Sequence, residues 1–564
     1  MNIRKTLSIF LVLLILFAFP LSSVAESASS MFTLDDFNVP TLADAIPIPL
    51  NGENVLIQES GIYSLSGSID EGSITIDADR DSVICLLLNG LSITSSSGPA
   101  LLCNAGKVIL TLADGTVNTF TQLDSEPEDA HAVLSSVCDL TINGTGKLVV
   151  NGNSGSGISC AGTLRIVSGE LSVTARENGL IGRDAVCIGG GTLDVTAIRG
   201  DAISSTNRED PALGYIAVSG GILSLQTGEV YETATSREEG TEAAAWATKA
   251  EGEAPSQKGM KAEGMILFTA GSLTSDTVGD AIHAKGRVEI RGGVLELSTG
   301  SDGIEANDSL TIVSGTVHIN HSFDGLESPD IHLDGGEIRI STQNDGIKAA
   351  GVAPRAIPDP VGPETAEGAS PVSPDDNPLQ ETAVSGTPDK GDGTLTLSGG
   401  TVTILSEGDG IDVSSNFIMH NGTLYVRGSQ DSKNGALNYG GTFTLTGGTL
   451  IALGFSEKAM GPTVATIPGC TLSVTPGSVT VAGTDGTSLF SFAPEGIFEH
   501  AVIYSDLFTD GETCQVISGD TVQSVIMSCE ISGSGPDLRG NLPAPAPTPS
   551  TGIPESIAPA ENDP

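Results

Sequence analysis

The chain has 564 residues, 71 of them Gly, with 25 Lys plus Arg against 70 Asp plus Glu, a formal charge of −45. That balance argues against nucleic acid as a partner, because phosphate binding needs clustered Lys and Arg, and equally against docking on anionic lipid. It suits divalent cations, whose usual ligands are closely spaced carboxylates, and the glycine content with few aromatics suits a turn-rich all-β chain.

Residues 1–25 have the pattern of a secretory signal peptide. Arg4 and Lys5 supply the positive end, Leu7 to Phe19 the apolar stretch, and Ser23-Val24-Ala25 a small-residue cleavage site. The apolar run is short for a membrane span, and no second run of spanning length follows. The expectation is therefore a secreted or extracellular monomer with no membrane insertion after signal removal. Losing Arg4 and Lys5 takes the charge to −45 − 2 = −47. Residues 26–50 form a lead-in of weak pattern, part linker and part cap.

From residue 51 short strand-like runs appear: Val55-Ile57, Ile74-Ile76, Val83-Leu88 and Val108-Leu112. A repeated phrase begins faintly at Ser97-Gly98-Pro99-Ala100. It is clearer at Ser156-Gly157-Ile158 and Asn178-Gly179-Leu180 (178 − 156 = 22) and at Asp201-Ala202-Ile203 (201 − 178 = 23). An acidic, Ala-rich insertion with the sole Trp246 interrupts at about 226–257. The rhythm resumes at Lys258-Gly259-Met260-Lys261-Ala262.

The phrase then becomes insistent, with Asp280-Ala281-Ile282, Asp302-Gly303-Ile304, Asp324-Gly325-Leu326, Asp345-Gly346-Ile347 and Asp409-Gly410-Ile411. Successive Asp numbers differ by 22, 22, 21 and 64, the last being one period plus a long insertion. A period near 22 suits one coil of a β-solenoid. Within a period, three runs alternate in polarity and are separated by turn residues, as in Ile304, Leu310-Thr311-Ile312 and Thr316-Val317-His318-Ile319. Stacked coils place equal positions about 4.8 Å apart, so each Ile of the phrase falls on the next. The Pro- and Asp-rich insertion at about 351–390 has almost no large apolar residues and is expected to be disordered. Residues 454–532 still read as strands and form a C-terminal β cap beyond a solenoid spanning 51–453. Residues 533–564 form a Pro-rich tail. Of eight cysteines the first five, Cys85, Cys103, Cys138, Cys160 and Cys187, read as buried small hydrophobes, while Cys514 and Cys529 could pair across a hairpin.

Two explanations compete for the Asp row. Asp before Gly is ordinary turn chemistry, with Asp bonding backbone amides and Gly at positive φ. Stacked Asp residues also repel, by about 1 kcal/mol in water and about 3 kcal/mol at a surface dielectric near 20. The residues three places on form a second row: Lys261, His283, Glu305, Glu327, Lys348 and Asp412. Asp302, Glu305, Asp324 and Glu327 therefore crowd two coils, and calcium is the natural counter-ion. Gly303, Gly325 and Gly346 should leave a flat open strip for a regular polymer, a polysaccharide, with Lys348 and Tyr439 completing the polymer-facing set. A polyuronate would need calcium to bridge carboxylates. Cellulose is disfavoured because neutral glucans stack on aromatic rows, and Phe323, Tyr425 and Tyr439 form none. A calcium-dependent lyase would need Lys348, or Lys261, as base. A surface adhesin without glycan activity is the other alternative. His131, His318, His321 and His332 lack metal-ligand spacing.

The runs Gly279-Asp280-Ala281-Ile282-His283-Ala284, Ser301-Asp302-Gly303-Ile304-Glu305-Ala306, Asn344-Asp345-Gly346-Ile347-Lys348-Ala349, Lys433-Asn434-Gly435-Ala436-Leu437-Asn438-Tyr439-Gly440-Gly441 and Leu445-Thr446-Gly447-Gly448-Thr449 resemble a secreted bacterial carbohydrate-binding β-helix family. The resemblance runs over roughly residues 150–530. It implies a right-handed single-stranded parallel β-helix like that of polysaccharide lyases. It further implies bound calcium and affinity for plant cell-wall polymers, cellulose and polygalacturonate, without established catalysis. By that resemblance the phrase residues Asp280, Asp302, Asp324, Asp345 and Asp409 are calcium ligands. Ala281 departs from the family's Asp-Gly.

Overall fold

The computed structural model describes residues 31–123, 131–228, 256–350 and 392–529. The signal sequence, Trp246, most of both insertions and the Pro-rich tail lie outside them. The described residues are all-β apart from short 3-10 turns. Each repeat contributes three strands, for example Ile304–Ala306, Ser309–Ile312 and Thr316–Ser322. Each strand pairs in parallel with its equivalent one repeat on: Ile304 opposite Leu326, Leu310 opposite Ile331, Val317 opposite Ile338. The phrase strands form a 14-stranded sheet, and the other two sets run through a 30-stranded sheet. Pairing continues across both insertions, with Ile203 opposite Met260 and Ile347 opposite Ile411.

The period-2 alternation decides which side chains are interior. In Val294–Thr299, Leu295 and Leu297 are buried while Glu296 points out. Ile282, Ile304, Leu326, Ile347, Ile411 and Leu437 make a continuous buried ladder beneath the phrase. Each such side chain is worth roughly 1.5–3 kcal/mol of burial. The Ser314-Gly315 turn uses a left-handed residue, Gly315 at φ +105°.

Both ends depart from the repeat. The lead-in is docked more firmly than its weak pattern suggests. Met31 packs with Ala185, Cys187, Ala217 and Leu267 on the outside of the sheet. Asp36 is fully buried, accepting from Thr141 at 2.5 Å and paired with Lys107 at 2.8 Å. The first strand, Ile46–Asn51, pairs with Gly61–Ile69 and carries Pro47 and Pro49, residues that cannot donate to a further strand. After residue 454 one more short strand, Val464–Ala465, pairs in parallel with Phe443–Leu445, and the rest turn antiparallel: His500–Ser505 lies against Thr449–Gly454, and Val479–Ala482 lies between Ser488–Phe492 and Thr513–Ser518. Val479, Val481, Phe492, Phe498 and Val516 give this part its own core. All eight thiols are free. Cys514 is buried opposite Val525, whereas Cys529 lies against the Thr466 carbonyl, so the pair considered for the hairpin does not form.

Candidate cation and ligand corner

The Asp residues of the phrase share one job through Oδ1, and Asp280, Asp324 and Asp409 have a second through Oδ2. Oδ1 accepts the backbone N–H of the equivalent residue one repeat on. Asp280 takes Asp302 N–H at 3.2 Å, Asp302 takes Asp324 at 3.1 Å, Asp324 takes Asp345 at 2.9 Å and Asp345 takes Asp409 at 2.8 Å. Asp409 continues to Gly435 at 2.6 Å, and earlier in the chain Asn178 holds Asp201 and Asp201 holds Lys258. An Asn can therefore fill this role. The turn-chemistry explanation of the row is real, and it uses one oxygen only.

Oδ2 of Asp280, Asp324 and Asp409 meets His283, Lys348 and Asn438 in the row three places on, whose members pair directly: Lys261 with His283, His283 with Glu305, Glu305 with Glu327, Glu327 with Lys348, Lys348 with Asp412. Two groups of possible metal ligands result, Asp280/His283/Glu305 and Asp302/Asp324/Glu327, each with ligand atoms within 4.8 Å of one another. They differ in charge. In the first, the Lys258 ammonium contacts Asp280 Oδ2 and lies 3.8 Å from Glu305, and His283 Nδ1 is 2.5 Å from Glu305 and 3.3 Å from Asp280. Burial disfavours the His283 imidazolium, but Asp280 and Glu305 outweigh it and hold the pKa above the ordinary histidine value. Burial likewise opposes Asp280 ionisation, and His283 and Lys258 overcome it. With His283 protonated the sum is −2 + 1 + 1 = 0.

The second group holds three carboxylates and one cation. Lys348 Nζ is 3.1 Å from Asp324 Oδ2 and 3.0 Å from Glu327 Oε1, so full ionisation leaves −3 + 1 = −2. Among the described residues neither Asp302 nor Asp345 is in an ion pair. Burial, then the charges of Asp280, Glu327 and Asp324, push the Asp302 carboxyl up to about 7. Asp345 also rises to about 7, through burial and then, against the Asp409 amide that favours its anion, the charges of Asp324, Asp409 and Asp412. At Asp409, Oδ2 accepts from the Asn438 side chain at 3.0 Å, which also reaches Asp412.

The structure corrects several site assignments. Gly303, Gly325 and Gly346 do not front an open strip and do not take positive φ. They are buried under the next repeat: a Cβ on Gly303 would sit 2.6 Å from the Gly325 carbonyl oxygen, and one on Gly346 2.2 Å from Ile404 Cγ2. Close approach of stacked backbones, and not turn conformation, demands glycine there. Tyr439 is 3% exposed, donates to the Gly461 carbonyl and meets Phe443 edge-on, so it cannot face a polymer. His318, outside both groups, has its Nδ1 2.8 Å from Glu296. Lys258 and Asn438 were missed as members of the corner. Lys258 occupies an Asp position of the repeat, which was the available signal.

Residues 51–303 match a family model described as carbohydrate-binding domain-containing protein. A carbohydrate-binding domain-containing protein of Acetivibrio thermocellus is 36% identical over 135 residues, covering 23% of this chain and 47% of that protein. The chain thus spans about half the length of that relative. A solved structure of the polysaccharide lyase-like protein from C. thermocellum, a gadolinium derivative, is 26% identical, covers 48% of this chain and 92% of that chain, and superposes with a TM-score of 0.34.

Proposed function

We propose that this chain is an exported carbohydrate-binding protein folded as a right-handed parallel β-helix with a C-terminal β cap. It binds plant cell-wall polysaccharide, polygalacturonate or a cellulose-like glucan, on the Asp corner with calcium. The similarity of residues 51–303 to carbohydrate-binding domains supports the substrate class. The observation that carries the cation is the −2 residue of charge at Asp302, Asp324 and Glu327, beside a neighbouring group balanced by Lys258 and His283.

Hard carboxylate oxygens within reach of one another fit a divalent cation, and the raised Asp302 pKa marks the oxygen left without a partner charge. Asp302, Asp324 and Glu327 would hold calcium, which would neutralise the corner and offer a bridging position to a uronate. Binding is favoured over lyase chemistry by the state of Lys348. Its ammonium is already the partner of Asp324 Oδ2 at 3.1 Å and of Glu327 Oε1 at 3.0 Å, the position of a counter-ion within the corner.

Titration calorimetry of the full chain with polygalacturonate and with cello-oligosaccharide, in calcium and in chelator, tests the reading against Asp302→Asn/Glu327→Gln. The expected result is a calcium-dependent heat with the polyuronate that the double variant lacks. Absence of heat with both glycans in both conditions would refute it and favour a surface adhesin.

A further inference from the structure

One repeat breaks the ladder twice within a few residues. The strand Thr316–Ser322 carries a bulge: Ile319 lies opposite Leu297 and His321 opposite Ser298, leaving Asn320 without a partner position. The following corner is then one residue short. The separation from the buried hydroxyl residue to the phrase Asp is 302 − 299 = 3, 345 − 342 = 3 and 409 − 406 = 3, but 324 − 322 = 2. Phe323 N–H donates to Ser301 O at 2.7 Å and Asn344 N–H to Phe323 O at 2.9 Å, so Phe323 stands in the row of Ser301 and Asn344. The residue that would match Gly300 and Gln343 is missing.

The shortened corner disrupts a hydrogen bond. Thr277, Thr342 and Ser406 donate their hydroxyls to the carbonyl two residues on, at 2.8, 3.0 and 3.3 Å, and Thr299 donates its own to the Gly279 carbonyl of the repeat before. Ser322 is fully buried and its Oγ has no partner. The same corner puts a phenyl ring in water, with Phe323 49% exposed. A buried hydroxyl without a partner is unfavourable, and here it sits next to a ring half in water. Bulges that re-aim a side chain and departures from local rules concentrate at binding positions.

We propose that Phe323 is the stacking platform for one hexopyranose ring of the bound polysaccharide. The inference rests on the carbohydrate reading above and names the subsite within it. Sugar rings have an apolar face that packs on an aromatic one. The surroundings of Phe323 are polar: Ser301 and Asn344 flank it in the row, and the exposed Gln343 and the half-buried His321, 3.2 Å apart on the same corner, carry groups that suit hydroxyls. An isolated ring among polar groups fits a sugar. The apolar face of a protein partner would need a patch, and the corner residues about Phe323 are polar.

The test is calorimetry of the full chain with cello-oligosaccharide and with oligogalacturonate plus calcium, comparing wild type, Phe323→Ala, Phe323→Trp and the control Ile222→Ala, which alters another exposed apolar side chain. Melting temperatures verify that each variant folds. The expected result is a loss of about tenfold in affinity for Phe323→Ala, with Phe323→Trp and Ile222→Ala close to wild type. The glycan showing the loss identifies the ring as neutral or uronic. Wild-type binding that Phe323→Ala leaves unchanged would overturn the stacking role and leave the carbohydrate reading standing. No wild-type binding to either oligosaccharide would overturn both.

Discussion

Replacing Asp302 by Asn and by Ala separates the hydrogen bond of a phrase aspartate from its charge. Asn keeps an oxygen for the Asp324 amide, as Asn178 does for Asp201. It removes the charge that makes Asp302 costly. Its carboxyl rises from 3.8 to about 7 in the folded chain, and three units at about 1.36 kcal/mol each set a ceiling near 4 kcal/mol on the penalty of ionising it. In chelator at pH 8, Asp302→Asn should therefore be more stable than wild type by about 2 kcal/mol, within that ceiling. Asp302→Ala gains the same relief but strands a buried amide, a loss of about 1–3 kcal/mol, and should fall below Asn by that amount. The sign with pH follows: a raised carboxyl contributes stability that is complete below about pH 4 and lost as pH climbs through about 7, so the advantage of Asn over wild type should vanish between those values. Thermal melts across pH 4–8, with chelator and with calcium, read all of this. Calcium should raise the wild-type melting temperature and leave Asp302→Asn unmoved. An Asn variant less stable than wild type in chelator at pH 8 would refute the charge argument outright.

Lys348→Met leaves the buried Asp324 and the Glu327 carboxylate without their ammonium. It should destabilise by about 2–4 kcal/mol in chelator, with much of the loss restored by calcium in the same melts. Gly346→Ala drives a methyl into Ile404 and the Gly410 carbonyl and should cost more than about 2 kcal/mol in denaturant unfolding, whatever the cation. Tyr439→Phe loses the bond to the Gly461 carbonyl, costing about 1 kcal/mol of stability, and should leave glycan affinity unchanged by calorimetry because the ring is buried.

Parallel stacking explains why so much of the corner was legible in the sequence. When every repeat pairs in register with the next, a constant spacing in number becomes a column in space. The row Lys261, His283, Glu305, Glu327, Lys348, Asp412 could be written down from the period alone, and the structure sets those residues side by side. What the period cannot show is which way a group points or what lies above it. The glycines were assigned from a local turn rule, whereas their constraint is the carbonyl of the next repeat. The role of Lys258 was hidden because a lysine in an aspartate's place reads as a departure from the motif, although its ammonium serves Asp280 in the adjacent repeat. The bulge was hidden by arithmetic. One residue gained in Thr316–Ser322 and one lost before Asp324 cancel, so 324 − 302 stays at 22. The visible irregularity, 345 − 324 = 21, arises elsewhere: Leu326 to Ile331 takes five steps where Ile304 to Leu310 takes six, a turn shortened at Pro329. A repeat count therefore locates the columns of a stacked fold but is blind to compensated defects, and in this chain the compensated defect is where an aromatic ring takes a corner position held by Ser301 and Asn344 in the neighbouring repeats.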